Sequence, residues 1–158
     1  MATWAQFAEH EHNIADLGER IFSKYGIAYI GTVRQDGGPR VTPVTPVIID
    51  GHLYLGLMPD SPKKRDIDRD KRCVIHGLPG PNDSEIAVRG IARPLGRGEV
   101  EALFAKAPRN IRLAEDACMY ELEIMQVNYT RFEPPDVAEG RPKATRSRWV
   151  APGLQPEE

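Results

Sequence analysis

The residues best placed to do chemistry are consecutive: Asp60-Ser61-Pro62-Lys63-Lys64-Arg65-Asp66-Ile67. They follow an alternating apolar run, His52-Leu53-Tyr54-Leu55-Gly56-Leu57-Met58. A serine followed by a proline marks a helix start, because proline's missing N–H and fixed φ suit the first helical position. Three cations then fall in the first turn, the end of a helix that already carries partial positive charge. That placement makes physical sense if an anion docks there. Free backbone N–H groups, the Ser61 hydroxyl, Lys63 and Lys64 would together cradle a phosphate. The alternative is a solvated basic helix start, and this stretch alone does not choose between them.

The chain around it has 158 residues and a net charge of −2. That length fits one domain, residues 1–158, with a core of its own. Near-neutral charge and few aromatic residues give no support to a nucleic-acid surface. No apolar run approaches the roughly 20 residues of a membrane span. The start, Met1-Ala2-Thr3-Trp4-Ala5-Gln6, lacks the basic and apolar regions of a signal peptide. Cys73 and Cys118 lie in apolar runs without metal-ligand spacing, so two free thiols in a soluble cytoplasmic protein are expected.

The elements that must position the basic helix start read as follows. Residues 3–24 are helical, in one or two pieces. Thr3 and Gln6 have capping-box spacing, Asn13 could cap a second piece, and Gly26 ends it. Ile14, Leu17, Ile21 and Phe22 form its apolar stripe. Strands are expected at 27–33, 40–49 and 52–58, joined by tight turns at Asp36-Gly37 and Asp50-Gly51. A helix at 62–70 leads to a strand at 72–76, a loop at 79–83, a strand at 85–93, a helix at 98–106 and a strand at 119–127. Residues 129–133 could extend that last strand past a bend. Residues 134–148, rich in Pro, Gly and cations, read as a loop or extended C-terminal arm within 134–158, with Trp149 near its end. Six short strands and few helices predict a mainly β fold: a six-stranded antiparallel barrel with flanking helices. Pro43 and Pro46 lie inside the second strand, so that strand is an edge or bulged. A dimer partner or a cofactor would cover such an edge.

This ordered set resembles the flavin-binding split β-barrel of the pyridoxamine 5'-phosphate oxidase-like superfamily. The matching residues are Gly31-Thr32-Val33-Arg34-Gln35-Asp36-Gly37, then Pro39-Arg40-Val41-Thr42-Pro43-Val44, the second Asp-Gly turn with its Leu-Tyr-Leu strand, and Ser61-Pro62-Lys63-Lys64-Arg65-Asp66-Ile67-Asp68-Arg69-Asp70. The likeness spans roughly residues 15–127. It implies a split-barrel homodimer with FMN across the interface. On that resemblance Lys63 would hold the FMN phosphate, with Ser61 and Arg40 as further contacts and Lys64 as a weaker one. Thr42 and Val44 would run beside the ring. Charges and N–H groups suit a phosphate, and an apolar slot suits an isoalloxazine.

The departures narrow the activity. The oxidase clamps its substrate with a Tyr, an Arg and a Ser, where an approximate alignment on Phe104 and Pro108-Arg109 places Leu103, Ala107 and Ile111. None of these grips a phosphate, and the oxidase's C-terminal Arg-x-His is missing, so oxidation of pyridoxamine 5'-phosphate is not expected. What the resemblance implies is a flavin-dependent oxidoreductase acting on a small organic substrate. A 5-deazaflavin reductase is the alternative, its acidic tail needing a basic groove from Lys64, Arg65 and the C-terminal arm. A flavin or tetrapyrrole carrier without turnover is the alternative of another class. His10, His12 and His52 read as surface residues, and His76 as a core or interface histidine. Asp66, Asp68 and Asp70 do not share a helix face and are poor metal ligands. Trp149 reads as packing or as a lid on a ring. The basic residues Arg141, Lys143, Arg146 and Arg148 read as a solvated tail or a contact to an anionic ligand.

Overall fold

A computed structural model describes residues 1–107, 113–114, 116–133 and 142–155. Two helices open the chain, α1 (Trp4–His10) and α2 (His12–Tyr25). The Thr3/Gln6 capping box is formed, and Gly26 closes α2 in the left-handed conformation at φ 62°. The second piece is capped differently from expectation: Glu11 occupies the N-cap, and Asn13 lies inside the helix.

Strands β1 (Ala28–Val33), β2 (Pro39–Ile49) and β3 (His52–Leu57) follow through the two tight turns. Gly37 and Gly51 both adopt positive φ there, as such hairpins require. Then come α3 (Pro62–Arg69), β4 (Arg72–Gly77), β5 (Glu85–Pro94), α4 (Arg97–Lys106), β6 (Cys118–Glu133) and β7 (Lys143–Val150). The sheet order is β3-β2-β1-β4-β5-β6-β7, and β6 also pairs with β3. The result is a closed six-stranded antiparallel barrel with one extra strand, mostly β with four α-helices among the described residues.

Two long strands make closure possible by changing partners. Residues 39–44 of β2 pair with β1, and residues 45–49 pair with β3. Each half therefore has a single hydrogen-bonded neighbour, a setting in which Pro43 and Pro46 cost least. On one edge of β6, residues 118–121 pair with β3, Ala2 bridges Ile124, and residues 126–133 pair with β7. The other edge of β6 pairs with β5, with a register shift at Arg89/Gly90. A Cβ on Gly90 would stand 2.3 Å from the Glu123 carbonyl oxygen, so only glycine fits there.

The β7 strand is where the fold departs from the sequence reading. Residues 143–150, expected in an arm, pair along their whole length with β6. Residues 134–141 lie outside the described residues, and Arg141 with them. Residues 129–133 do extend this strand, since β6 runs on to Glu133, but its irregularity lies earlier than the expected bend, opposite Arg89/Gly90 between Ile124 and Gln126.

The main core fills the barrel with Ile30, Leu53, Leu55, Leu57, Ile75, Val88, Leu122 and Ile124. Trp4 and Phe7 of α1 and Phe22 of α2 join it, with rings meeting edge-on at 5.2 and 6.1 Å. Trp149 packs on Phe7 at 5.2 Å, which makes it a packing residue. A second cluster lies outside the barrel, where Leu103 of α4 covers Val47, Ile49 and Met119. Each large side chain so buried contributes roughly 1.5–3 kcal/mol.

Candidate functional site

The site lies where β2 leaves β1 for β3. A cavity of about 260 Å³ opens there. Its walls are the turn Gly26–Ile27, the switch residues Pro43, Val44 and Thr45, the end of β3 at Gly56–Met58, and Leu113, Ala114 and Ala117 ahead of β6. Lys63, at the start of α3, is the one charged side chain among the described lining residues. A Cβ on Gly56 would stand 2.7 Å from Leu113, so the glycine keeps this wall open.

Of the three cations that open α3, two are engaged locally. Lys64 donates to Asp68 at 2.7 Å, and the Arg65 guanidinium donates to the Asp60 carbonyl at 2.9 Å. Lys63 is half-buried and has no hydrogen-bond or ion-pair partner among the described residues. Burial lowers its pKa, the direction expected of an ammonium losing water without gaining an anion. The hydrogen bond from Lys64 to Asp68 moves the Lys64 ammonium the other way.

The six sequence-predicted residues thus divide. Lys63 and Val44 line the same cavity. Ser61 is the N-cap of α3, as its position suggested, but its hydroxyl donates to the Met58 carbonyl at 2.8 Å and makes no side-chain cap bond. Arg40 and Thr42 share the face of β2 that carries Val44. The Thr42 hydroxyl oxygen is buried without a partner, and such an orphan marks a place where a ligand group would be welcome. Arg40 donates through Nε to the Asp66 carboxylate at 2.6 Å, and its terminal nitrogens take no described partner. Lys64 lines a different cavity, of about 390 Å³, beside Asp68, Cys118 and Tyr120.

Asp66, read from the sequence only as a poor metal ligand, has a structural role beneath α3. It is 4% exposed, and one oxygen, Oδ2, accepts from both Arg40 and the Thr32 hydroxyl, the latter at 3.0 Å. Arg69 approaches Oδ1 at 3.5 Å and donates to the Val33 carbonyl. Burial alone would raise the Asp66 pKa. The hydrogen bonds from Arg40 and Thr32, with the charges of Arg40 and Arg69, reverse that and hold it below the usual value. Asp68 accepts from the Tyr120 hydroxyl at 2.6 Å, which ties α3 to β6 as well. Asp70 pairs with Arg72 at 2.6 Å and is lowered to about 2 by those hydrogen bonds. The three aspartates therefore serve three separate partnerships.

Around the cavity the surface is apolar. Ile27 and Met58 on its rim are 37% and 50% exposed. The strand register sets Tyr29 opposite Pro43 and His76, and Gly31 opposite Val41 and Val74, on the outward face of β1, β2 and β4. Val41 is 67% exposed there, and Tyr29 49%. His76 sits exposed on this face, outside the core, with Nδ1 2.7 Å from the Gly77 carbonyl oxygen. His10 is exposed beside Trp149, and His52 is 2.6 Å from Glu121, a more engaged position than a bare surface residue. Cys73 and Cys118 are both free, and burial pushes the Cys73 thiol up to about 12. Leu103 is buried in the cluster under α4, and Ile111 lies outside the described residues.

No protein-family model and no curated protein matches the chain. Its likeness is to solved structures. One is a heme binding protein from Mycobacterium smegmatis, with 20% identity and a TM-score of 0.54, covering 82% of this chain and 57% of that one. The chain thus spans little more than half of that protein. A protein related to general stress protein 26 of B. subtilis, of the pyridoxinephosphate oxidase family, from Clostridium acetobutylicum gives 13% identity and a TM-score of 0.61, covering 85% and 92% of the two chains. A pyridoxamine 5'-phosphate oxidase-related, FMN binding protein from Nostoc punctiforme gives 13% and 0.57, covering 92% and 96%. The chain therefore has the split-barrel fold of the pyridoxamine 5'-phosphate oxidase-like, FMN-binding proteins.

Proposed function

We propose that the chain binds FMN in the cavity at the β2 switch, at an interface between two copies, and acts as a cytoplasmic flavin-dependent oxidoreductase on a small organic substrate. The observation that carries this reading is Lys63, a half-buried ammonium without a described anion at the rim of an apolar slot. Lys63 would hold the phosphate through its ammonium and its backbone N–H, since the N–H groups of Ser61, Lys64 and Arg65 donate to carbonyls, with the free end of Arg40 as a further donor. Val44, Gly56 and Leu57 would flank the ring, and the orphaned Thr42 hydroxyl would meet a polar group of the cofactor. The bound flavin would supply the hydride transfer. The described cavity walls offer no carboxylate or histidine, so this chain's part is to bind, orient and exclude water.

Two observations favour a shared site. A cavity of about 260 Å³ is below the roughly 300–1,000 Å³ of complete ligand pockets. Its rim also runs into the exposed apolar face of β1, β2 and β4, where a second copy would complete the walls.

FMN is favoured over a deazaflavin by the placement of charge. The groove for an acidic tail was expected from Lys64, Arg65 and the C-terminal arm. Lys64 is neutralised by Asp68, Arg65 is turned to a carbonyl, and Lys143, Arg146 and Arg148 lie on β7, which pairs with the far half of β6. A tetrapyrrole carrier is the reading of another class, and the heme-binding neighbour is its support. It finds no histidine in the described walls.

Fluorescence titration with FMN, the deazaflavin cofactor and hemin separates these readings. FMN is expected to bind tightest. Lys63→Ala should weaken it by about 1.5–3 kcal/mol, the scale of a charged hydrogen bond, or roughly 10- to 150-fold. Unchanged affinity in the variant would remove the phosphate assignment. Hemin binding in place of FMN would select the carrier.

A further inference from the structure

Lys63 can serve a phosphate only if α3 is held at one rotation about its axis. A roll of about 20° moves the surface of a helix of this diameter by roughly 2 Å, which the flexible lysine stem can follow only by giving up its own rotamer and its contacts with the cavity wall. Burial of Ile67, one turn beyond Lys63, does not fix that angle, because apolar contact is non-directional. Hydrogen bonds do. We propose that Asp66 is the positioning residue of the phosphate site, resting on the FMN reading above: its carboxylate sets the roll of α3 and thereby the place of Lys63.

The geometry supports this in three ways. Asp66 lies three residues after Lys63, so the two project from adjacent turns of one side of the helix. Its Oδ2 is gripped by two donors from different strands, Thr32 of β1 at 3.0 Å and Arg40 of β2 at 2.6 Å. Two bonds from separate strands onto one atom fix a direction that one bond would leave free. The same contact orients Arg40. With Nε committed to Asp66, the planar guanidinium presents its terminal nitrogens at a set angle, on the β2 face that also carries Thr42 and Val44. Asp66 would thus align both cations of the site while touching no ligand itself. A buried carboxylate is a costly way to anchor a helix that Ile67 already anchors, and a requirement for one orientation gives that cost a reason.

The test compares FMN with riboflavin, which has the same ring and no phosphate. If the wild-type protein does not prefer FMN, the phosphate site itself fails, and the inference with it. Given that preference, Asp66→Asn should weaken FMN at least fivefold and leave riboflavin within twofold, with a cooperative thermal transition retained. A purely structural role would weaken both flavins together, or neither, and either result overturns the inference. Should Asp66→Asn not fold, Thr32→Val keeps the ion pair and removes one of the two directing bonds. It should lower the FMN-to-riboflavin affinity ratio at least threefold. An unchanged ratio in Thr32→Val would overturn the inference equally.

Discussion

If two copies meet on the outward face of β1, β2 and β4, then Val41→Asp should separate them while sparing the fold. Val41 is 67% exposed in the single chain, so about two-thirds of its burial energy remains to be gained on association. Full burial of a valine contributes about 1.5 kcal/mol at the low end, which leaves about 1 kcal/mol per copy. A two-fold interface uses the residue twice, giving about 2 kcal/mol. An aspartate in its place adds the cost of two carboxylates losing water without partners, at least about 2 kcal/mol more. The sum, about 4 kcal/mol or above, raises the dissociation constant roughly 1,000-fold. Within one chain the site is solvated, so the thermal stability of the separated monomer should fall by no more than about 1 kcal/mol, the span of strand propensities. Sedimentation velocity over a dilution series reads the constant, and flavin fluorescence on the same samples reads cofactor retention. Dimerisation should weaken and FMN should leave with it. A wild-type chain that stays monomeric at tens of micromolar, or a Val41→Asp chain that associates as tightly as wild type, would refute the reasoning.

Other consequences can be checked together. Gly90→Ala would press a methyl against the Glu123 carbonyl and should destabilise the fold by about 2–3 kcal/mol in denaturant unfolding, the range of overpacked sites. Of the two thiols, only Cys118 should react with a thiol reagent in the native protein, since Cys73 is 5% exposed and raised to about 12; labelling of both before unfolding would contradict this. Asp66, Asp68 and Glu121 titrate below their usual values in the folded chain, so the folded state binds fewer protons than the unfolded one in acid. Their contribution should be complete above about pH 4.5 and drain as pH falls through the depressed values. Melting temperature should therefore drop between about pH 4 and 2, less steeply in Asp66→Asn, and a flat profile would be the contrary result.

Much of this was legible in the residues because local chemistry decided it. The Thr3/Gln6 box, Gly26 and the two Asp-Gly turns are positions where a backbone conformation demands a residue type, and each formed. The start of α3 was readable for the same reason, through Ser61 and Pro62. What escaped depended on distant partners. Strand β7 carries Lys-Ala-Thr-Arg-Ser-Arg before Trp149, with little apolar alternation. It exists because β6 offers an edge to pair with and Phe7 receives the tryptophan. Asp66 looked like one more charge in a charged helix, and only the folding of β1 and β2 beneath it brings Thr32 and Arg40 to its carboxylate. One signal was available: Asp66 directly precedes Ile67, the sole large apolar residue of α3, so it had to lie near the buried side. The division between Lys63 and Lys64, which the resemblance gave as a stronger and a weaker contact, also turns on a partner. Asp68, one turn beyond Lys64, claims that ammonium and leaves Lys63 to the cavity.

The most direct measurement is a crystal structure of the chain with FMN. The account predicts the phosphate within about 3 Å of Lys63 Nζ, the contact distance of a charge-assisted hydrogen bond, with the ring against Val44 and Gly56 and a second copy closing the slot. A phosphate bound elsewhere, or a cavity at the β2 switch left empty while FMN binds at another place, would contradict it.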